Sequence, residues 1–200
     1  APNQIVVTNG AKQAIIQALM AVVEPEDDVL IPAPYWTSYP DMVRLCRANP
    51  VIMETCDINN YKIDPIMLRE VLQGNTKIKS IIICNPSNPT GCVMEIADLE
   101  AIAAVLKDFP LVTVFADEIY EHLTYQGVKH HSIAAIEGMY DRTVTINGFS
   151  KSHSMTGLRL GYAAGPTHVI NACSKIQSQF TSCASSISQY AGSVALTKVP

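Results

Sequence analysis

Residues 78–91 read Ile-Lys-Ser-Ile-Ile-Ile-Cys-Asn-Pro-Ser-Asn-Pro-Thr-Gly, and the reading of this stretch decides the fold class. Ile78–Cys84 is an apolar, isoleucine-rich run without the strict in-and-out alternation of a half-solvated strand. Such a run is buried on both faces, which points to a mostly parallel sheet covered by helices. It stops at Asn85-Pro86, and a second Asn-Pro step follows at Asn88-Pro89, with Gly91 just beyond. Asn-Pro steps and glycine make a stiff, sharply turned loop. Asn88 is then held at a fixed angle, as a donor for a ligand oxygen. Two such steps three residues apart are more elaborate than a turn requires.

The pattern repeats on both sides of this stretch. Val6–Thr8, Val29–Ile31, Val51–Met53, Val112–Ala116, Thr143–Ile146 and Arg159–Ala164 read as strands. Helices are expected from Gly10 to about Val23, over Tyr39–Ala48, from Pro65 to about Gln73, over Ile96–Leu106, and from Pro166 through Ile176 or beyond. Ala14, Ile15, Ala18, Leu19 and Val22 keep the i, i+3, i+4 spacing of a buried helical stripe. Proline suits the first turn of a helix. No repeat, low-complexity tract or Gly/Ser linker interrupts the alternation, so residues 1–200 are expected to form one domain. The expected architecture is a three-layer α/β/α sandwich with a mostly parallel sheet.

Composition narrows the function classes. Among 200 residues, 14 Lys and Arg stand against 18 Asp and Glu, a net charge of −4. This argues against a nucleic-acid footprint, which is basic. Apolar residues make up 48% and charged residues 16%, so the chain holds a sizeable core and is no disordered tail. No apolar run approaches the ~20 residues of a membrane span, and no charged leader precedes an apolar region, so neither a membrane anchor nor a signal peptide is expected. The six cysteines include no CxxC pair and read as reduced, buried thiols of an intracellular protein, cytoplasm and plastid both fitting. No His/Cys cluster has zinc-ligand spacing, and His130-His131 reads as solvated loop, so no metal is expected.

In open α/β sheets, ligands bind beyond the carboxyl ends of the strands. After Val6–Thr8 comes Asn9-Gly10-Ala11-Lys12, a glycine turn feeding a helix whose free N–H groups and positive dipole end suit an anion. After Val29–Ile31 comes Pro32-Ala33-Pro34-Tyr35-Trp36, with the chain's single tryptophan placed to stack on a planar ligand. After Val112–Ala116 comes Asp117-Glu118-Ile119-Tyr120, a carboxylate whose burial at a strand end is costly without a cation. After Thr143–Ile146 comes Asn147-Gly148-Phe149-Ser150-Lys151, an amine at the ligand edge, and Arg159 follows eight residues later. Arginine suits bidentate phosphate binding. Taken singly these residues have plainer readings: a turn, a rim aromatic, an N-cap, surface charges. Together they supply a phosphate site, a stacking ring, a partner for a ring cation and an amine for an aldehyde. That set matches pyridoxal phosphate, a pyridinium aldehyde bearing a phosphate.

The segments TNGAKQ, PAPYW, NPSNPTG, ADEIYEHLTY, NGFSKSHSMTGLRLGY and CASSISQ, in this order, resemble the class I aminotransferases of fold type I. The resemblance runs from about Val6 to Leu196 and is nearest to aspartate/prephenate aminotransferases of bacterial and plant type. It implies ping-pong amino transfer between an acidic amino acid (aspartate or glutamate) and a 2-oxo acid (2-oxoglutarate, oxaloacetate or prephenate), in a homodimer. It also implies roles. Lys151 binds the cofactor aldehyde and then shuttles the proton. Asp117 holds the pyridine nitrogen protonated. Tyr120 and Asn88 reach the ring's phenolic oxygen, and Asn88 also the substrate α-carboxylate. Trp36 stacks on the ring. Gly10, Ala11, Lys12, Ser150 and Arg159 hold the phosphate, and Lys12 also contacts the substrate's distal carboxylate. Another aminotransferase specificity (aromatic or alanine), a C–S lyase, or a regulator that only senses the cofactor shares the fold. Leu158 stands where the family has tryptophan, and Ser152-His153-Ser154 is more polar than usual. The resemblance further implies that an N-terminal arm and a C-terminal small domain, with the arginine that grips the α-carboxylate, lie outside these residues.

Overall fold

Along the chain the elements are β1 (Ile5–Thr8), α1 (Ala11–Val22), β2 (Asp28–Ala33), α2 (Ser38–Leu45), β3 (Asn49–Glu54), α3 (Pro65–Gly74), β4 (Ile78–Cys84), α4 (Ile96–Lys107), β5 (Thr113–Asp117), β6 (Thr143–Gly148), β7 (Gly161–Ala164), α5 (Thr167–Phe180) and α6 (Ser186–Lys198). The structure, a computed structural model, describes residues 1–198. The seven strands form one sheet in the order β1-β7-β6-β5-β4-β2-β3. β3, β2, β4, β5 and β6 are mutually parallel; β7 is antiparallel to both its neighbours, β6 and β1.

The central strands separate two cores. On β4, Ile82 faces one core and Ile81 and Ile83 the other; on β5, Phe115 faces the first and Val114 and Ala116 the second. The first core takes Ala14, Ile15, Ala18 and Leu19 of α1 and Ile170 of α5; the second takes Leu68 and Leu72 of α3 and Leu99 and Ile102 of α4. A strand sandwiched in this way presents apolar residues on both faces, which is why Ile78–Cys84 does not alternate. Local signals place the helices. The Asp64 side chain accepts from the Ile66 amide at 2.8 Å ahead of α3, with Pro65 in the first turn. Asp98 accepts from the Glu95 amide at 2.8 Å to open α4.

Five features differ from the sequence expectations. β7 begins at Gly161, not Arg159, because Arg159 sits in the left-handed region at φ 49. α2 stops at Leu45, and the chain turns through Arg47 at φ 62 before reaching Ala48. α6 has no counterpart among the expected elements. The β1 edge is not covered on both faces: Ile5 and Val7 are exposed on its outer side. Of the six free cysteines only Cys173 is buried, whereas Cys56 and Cys183 are exposed. Among the described residues no helix is long and apolar enough to cross a membrane.

Arg142 anchors the delivery of β5. Its guanidinium donates to the Leu106 carbonyl at 2.7 Å and through Nε to the Val112 carbonyl at 3.0 Å, and it also reaches the Phe109 carbonyl. These are carbonyls at and just beyond the α4 C-terminus, where helical acceptors lack partners and a cation is favoured. Arg142→Ala is expected to lower stability by about 2–4 kcal/mol, and Arg142→Lys by less, in urea unfolding followed by circular dichroism.

Candidate active site

All strands except β7 end at the same edge of the sheet. β7 runs the other way, so its start reaches that edge. This is how Arg159, just ahead of β7, meets the turn after β1. The approach is very close: a Cβ on Gly161 would lie 2.4 Å from the Ala11 amide nitrogen, and one on Gly10 would lie 2.5 Å from Arg159 Nη2. Gly10 also has φ +82, a conformation that L side chains rarely adopt. Arg159 donates to the Thr156 carbonyl at 2.9 Å and to Ser150 Oγ at 3.4 Å. The guanidinium, the Ser150 hydroxyl and the first-turn amides of α1 thus border one end of a cleft. The Gln13 and Ala14 amides donate to the Gly10 carbonyl, which leaves those of Ala11 and Lys12 for the cleft.

The cleft measures about 320 Å3 and is lined by Ala11, Lys12, Trp36, Asn88, Asp117, Tyr120, Ser150, Lys151 and Arg159, together with Tyr39, Ile15, Ile119 and Thr156. The sequence-predicted residues therefore converge, except that Gly10 backs Arg159 rather than lining the wall. Asp117 lies at the floor, 4% exposed, and no Lys, Arg or His pairs with it among the described residues. Its carboxylate accepts from the Tyr39 hydroxyl at 2.6 Å and from the Ile119 amide at 3.3 Å. Burial pushes its pKa up to about 6, against the pull of these two donors, and the nearby Glu118 carboxylate adds to the rise. The Tyr39 phenol is pushed far above its ordinary value, by burial first and then by the Asp117 charge.

Across the floor, Asn88 Nδ2 donates to the Tyr120 hydroxyl at 3.4 Å, and Lys151 Nζ lies 5.9 Å from the Tyr120 ring centre. Burial also raises the Tyr120 phenol, partly offset by the Asn88 bond. Both Asn-Pro bonds of this loop, Asn85-Pro86 and Asn88-Pro89, are cis, as is Ala33-Pro34. On the opposite wall Lys12 Nζ stands 4.7 Å over the Trp36 ring and donates to Ser38 Oγ at 3.3 Å. Trp36 meets Tyr39 edge to face, with centroids 5.5 Å apart.

Tyr39 escaped sequence reasoning, although a signal existed. It lies three residues after Trp36, and its amide donates to the Trp36 carbonyl at 3.0 Å in the turn that opens α2, which keeps the two rings together. Leu158 is exposed, and its carbonyl accepts from Ser188 Oγ at 2.6 Å. The polar Ser152-His153-Ser154 segment gains an explanation. Ser152 Oγ lies 2.7 Å from His153 Nδ1, and the His153 ring packs on Phe149 and, edge to face, on His122. The His130-His131 pair is not solvated loop: the His130 side chain is 12% exposed and faces Glu118.

The chain matches the family described as "Aminotransferase class I and II" over residues 1–200. It is 55% identical over 195 residues to a Petunia hybrida protein named bifunctional aspartate aminotransferase and glutamate/aspartate-prephenate aminotransferase, covering 98% of this chain and 40% of that protein. The crystal structure of an aspartate aminotransferase from Rhizobium meliloti superposes with a TM-score of 0.94 at 40% identity, over 98% of this chain and 49% of that one. An aromatic aminotransferase structure from Pyrococcus horikoshii gives 0.94 at 37% identity, over 98% and 52%. The chain spans 39–50% of the length of the curated relatives it matches.

The lone Asp117 carboxylate sets a pH dependence. With its folded pKa raised from 3.8 to about 6, the buried acid is tolerated while protonated, and stability is lost as pH rises through about 6. In protein freed of small-molecule ligands, the stability of Asp117→Asn relative to the parent is expected to grow by about 2 kcal/mol between pH 4 and pH 7. Denaturant unfolding at both pH values measures it; a constant difference would contradict the assignment.

Proposed function

We propose that this chain, which belongs to the class I and II aminotransferases, is the cofactor-binding large domain of a pyridoxal-phosphate enzyme. It moves an amino group between aspartate or glutamate and a 2-oxo acid: 2-oxoglutarate, oxaloacetate or prephenate. The reading includes a homodimer working inside the cell. One observation carries it: a buried carboxylate without a cation shares a cleft with a lysine amine and with a helix N-terminus backed by an arginine.

The residues fit the cofactor. The Gly10–Arg159 contact leaves amide donors, a hydroxyl and a guanidinium at one end of the cleft, the donor set of a phosphate site. Asp117 is suited to a protonated ring nitrogen, because that cation supplies the partner its burial lacks. When bound, pyridoxal phosphate supplies an electron-poor pyridinium that withdraws electrons from the substrate Cα. The chain's own groups do the rest. Asp117 keeps the ring nitrogen protonated, held in place by Tyr39. Asn88 and Tyr120 bind the ring's phenolic oxygen, and Asn88 also orients the substrate α-carboxylate. Trp36 bears on the ring face. The Gly10-Ala11-Lys12 backbone, Ser150 and Arg159 hold the phosphate. Lys151 would anchor the aldehyde carbon; once displaced by substrate, its tethered amine would remove the Cα proton and return it to the former aldehyde carbon, on the far side of the substrate nitrogen. Lys12, exposed at the cleft wall beside Trp36, pairs with the distal carboxylate and selects dicarboxylic substrates.

The likeness to an aromatic aminotransferase favours a second reading, in which the Lys12–Trp36 wall receives an aromatic side chain. Substitution of Lys12 separates the two. Lys12→Ala is expected to raise KM for aspartate about tenfold to a hundredfold, the loss of a charged hydrogen bond, and to leave KM for phenylalanine nearly unchanged. Equal effects on both would remove the selective role. The cofactor assignment is tested by borohydride reduction of the full-length protein with pyridoxal phosphate, followed by peptide mapping. The pyridoxyl mark is expected on Lys151 and absent from Lys151→Ala; no mark on Lys151 in the parent would overturn it.

A further inference from the structure

Glu118 directly follows Asp117, but successive residues of an extended segment point to opposite faces. Its amide donates to the Ile146 carbonyl at 2.9 Å, continuing the sheet ladder past the strand end. The side chain therefore turns away from the cleft and into the second core. It is 6% exposed there, and its carboxylate accepts no hydrogen bond among the described residues. Facing it is His130, 12% exposed, whose two ring nitrogens are buried without a hydrogen-bond partner. His130 Nε2 and Glu118 Oε2 stand 3.4 Å apart, an ion-pair contact without hydrogen-bond geometry. Glu121, one turn onward, brings a second carboxylate: one ligand atom from each of Glu118, Glu121 and His130 lies within 4.8 Å of the others.

A buried imidazole with neither nitrogen hydrogen-bonded is costly. An acid cluster alone would say little, but a buried imidazole without a hydrogen-bond partner faces the Glu118 carboxylate at a distance with its own meaning. Two ligands about 2.1 Å from a tetrahedral zinc ion stand about 3.4 Å apart. The surroundings complete the requirements of a site. His122 Nε2 lies 3.2 Å from Glu121 Oε1 and is placed to orient that carboxylate from the second shell of contacts. Glu121 is 30% exposed and His122 62% exposed, which leaves an entry path.

We propose that Glu118, Glu121 and His130 bind a divalent transition-metal ion of the zinc class, with water in the fourth position. The ion ties the 121–131 loop to the strand end that carries Asp117. Imidazole with two carboxylates suits zinc or manganese better than magnesium, which prefers an all-oxygen shell. The site was hidden from spacing arguments because twelve residues separate Glu118 from His130. It replaces the sequence expectation of no metal, and it does not depend on the proposed reaction.

The test uses the full-length protein, stripped with a chelator and titrated with Zn2+ at pH 7 by equilibrium dialysis. One zinc per chain is expected, with affinity reduced tenfold or more in His130→Asn and in Glu118→Gln, and retained when exposed Cys56 and Cys183 are both replaced by serine. Glu121→Gln, at a half-exposed position where folding is not at stake, serves if either buried variant fails to fold. Zinc should raise the parent's Tm and leave that of Glu121→Gln unchanged. No binding by the parent, binding that the Glu121, Glu118 or His130 substitutions leave intact, or binding lost with the cysteines would overturn the proposal.

Discussion

A carboxylate buried to 4% exposure at the end of β5 is the constraint on which the other strand-end residues depend. Asp117 has been carried there by Val114, Phe115 and Ala116, which are fixed between two cores and cannot move outward without exposing them. The acid must then be met where it stands. α2 brings the Tyr39 hydroxyl to 2.6 Å, and the Ile119 amide arrives through the chain's own turn. Both donors favour the ionised form, yet burial still holds the pKa near 6. Hydrogen bonds orient the carboxylate without neutralising it. The charge therefore remains available to a cation in the cleft, and the stability lost by burying it is regained when such a ligand binds.

The second constraint is directional. A wholly parallel sheet would deliver only strand ends to the ligand edge. Reversing β7 delivers a strand start as well, and Arg159 occupies it. That reversal forces contacts at Gly161 and Gly10 too close for any side chain. The phosphate end of the cleft is thus built from backbone proximity as much as from charge. The left-handed Arg159 shortens β7 by two residues relative to its apolar pattern and turns the guanidinium toward Ser150 and α1.

Much of this was legible in the sequence because it is local. Continuous apolar runs gave the central strands, and the residues immediately after them gave Lys12, Trp36, Asn88, Asp117, Ser150 and Lys151. What escaped was set by tertiary contact. Tyr39 was legible as helix but not as the partner of Asp117, since that bond spans 78 residues. His130 looked solvated because its neighbours are polar; only folding places Glu118 opposite it. Arg159 reads as strand because its flanking residues are apolar, whereas its backbone obeys the needs of the turn. α6 and the open outer face of β1 lie where periodicity is weak, and the apolar residues there do not follow a single buried stripe.

Asp117 and Glu118 show how one short segment divides its work. The first carboxylate points into the cleft and the second into the core behind it, a consequence of extended-chain alternation rather than of separate elements. Both are acidic and nearly inaccessible, and the Glu118 charge raises the cost of ionising Asp117. A cation near either carboxylate relieves part of the other's burden. The ring nitrogen proposed on one side and the metal ion proposed on the other are therefore electrostatically linked across a single peptide unit, and binding at one should tighten binding at the other by the same factor.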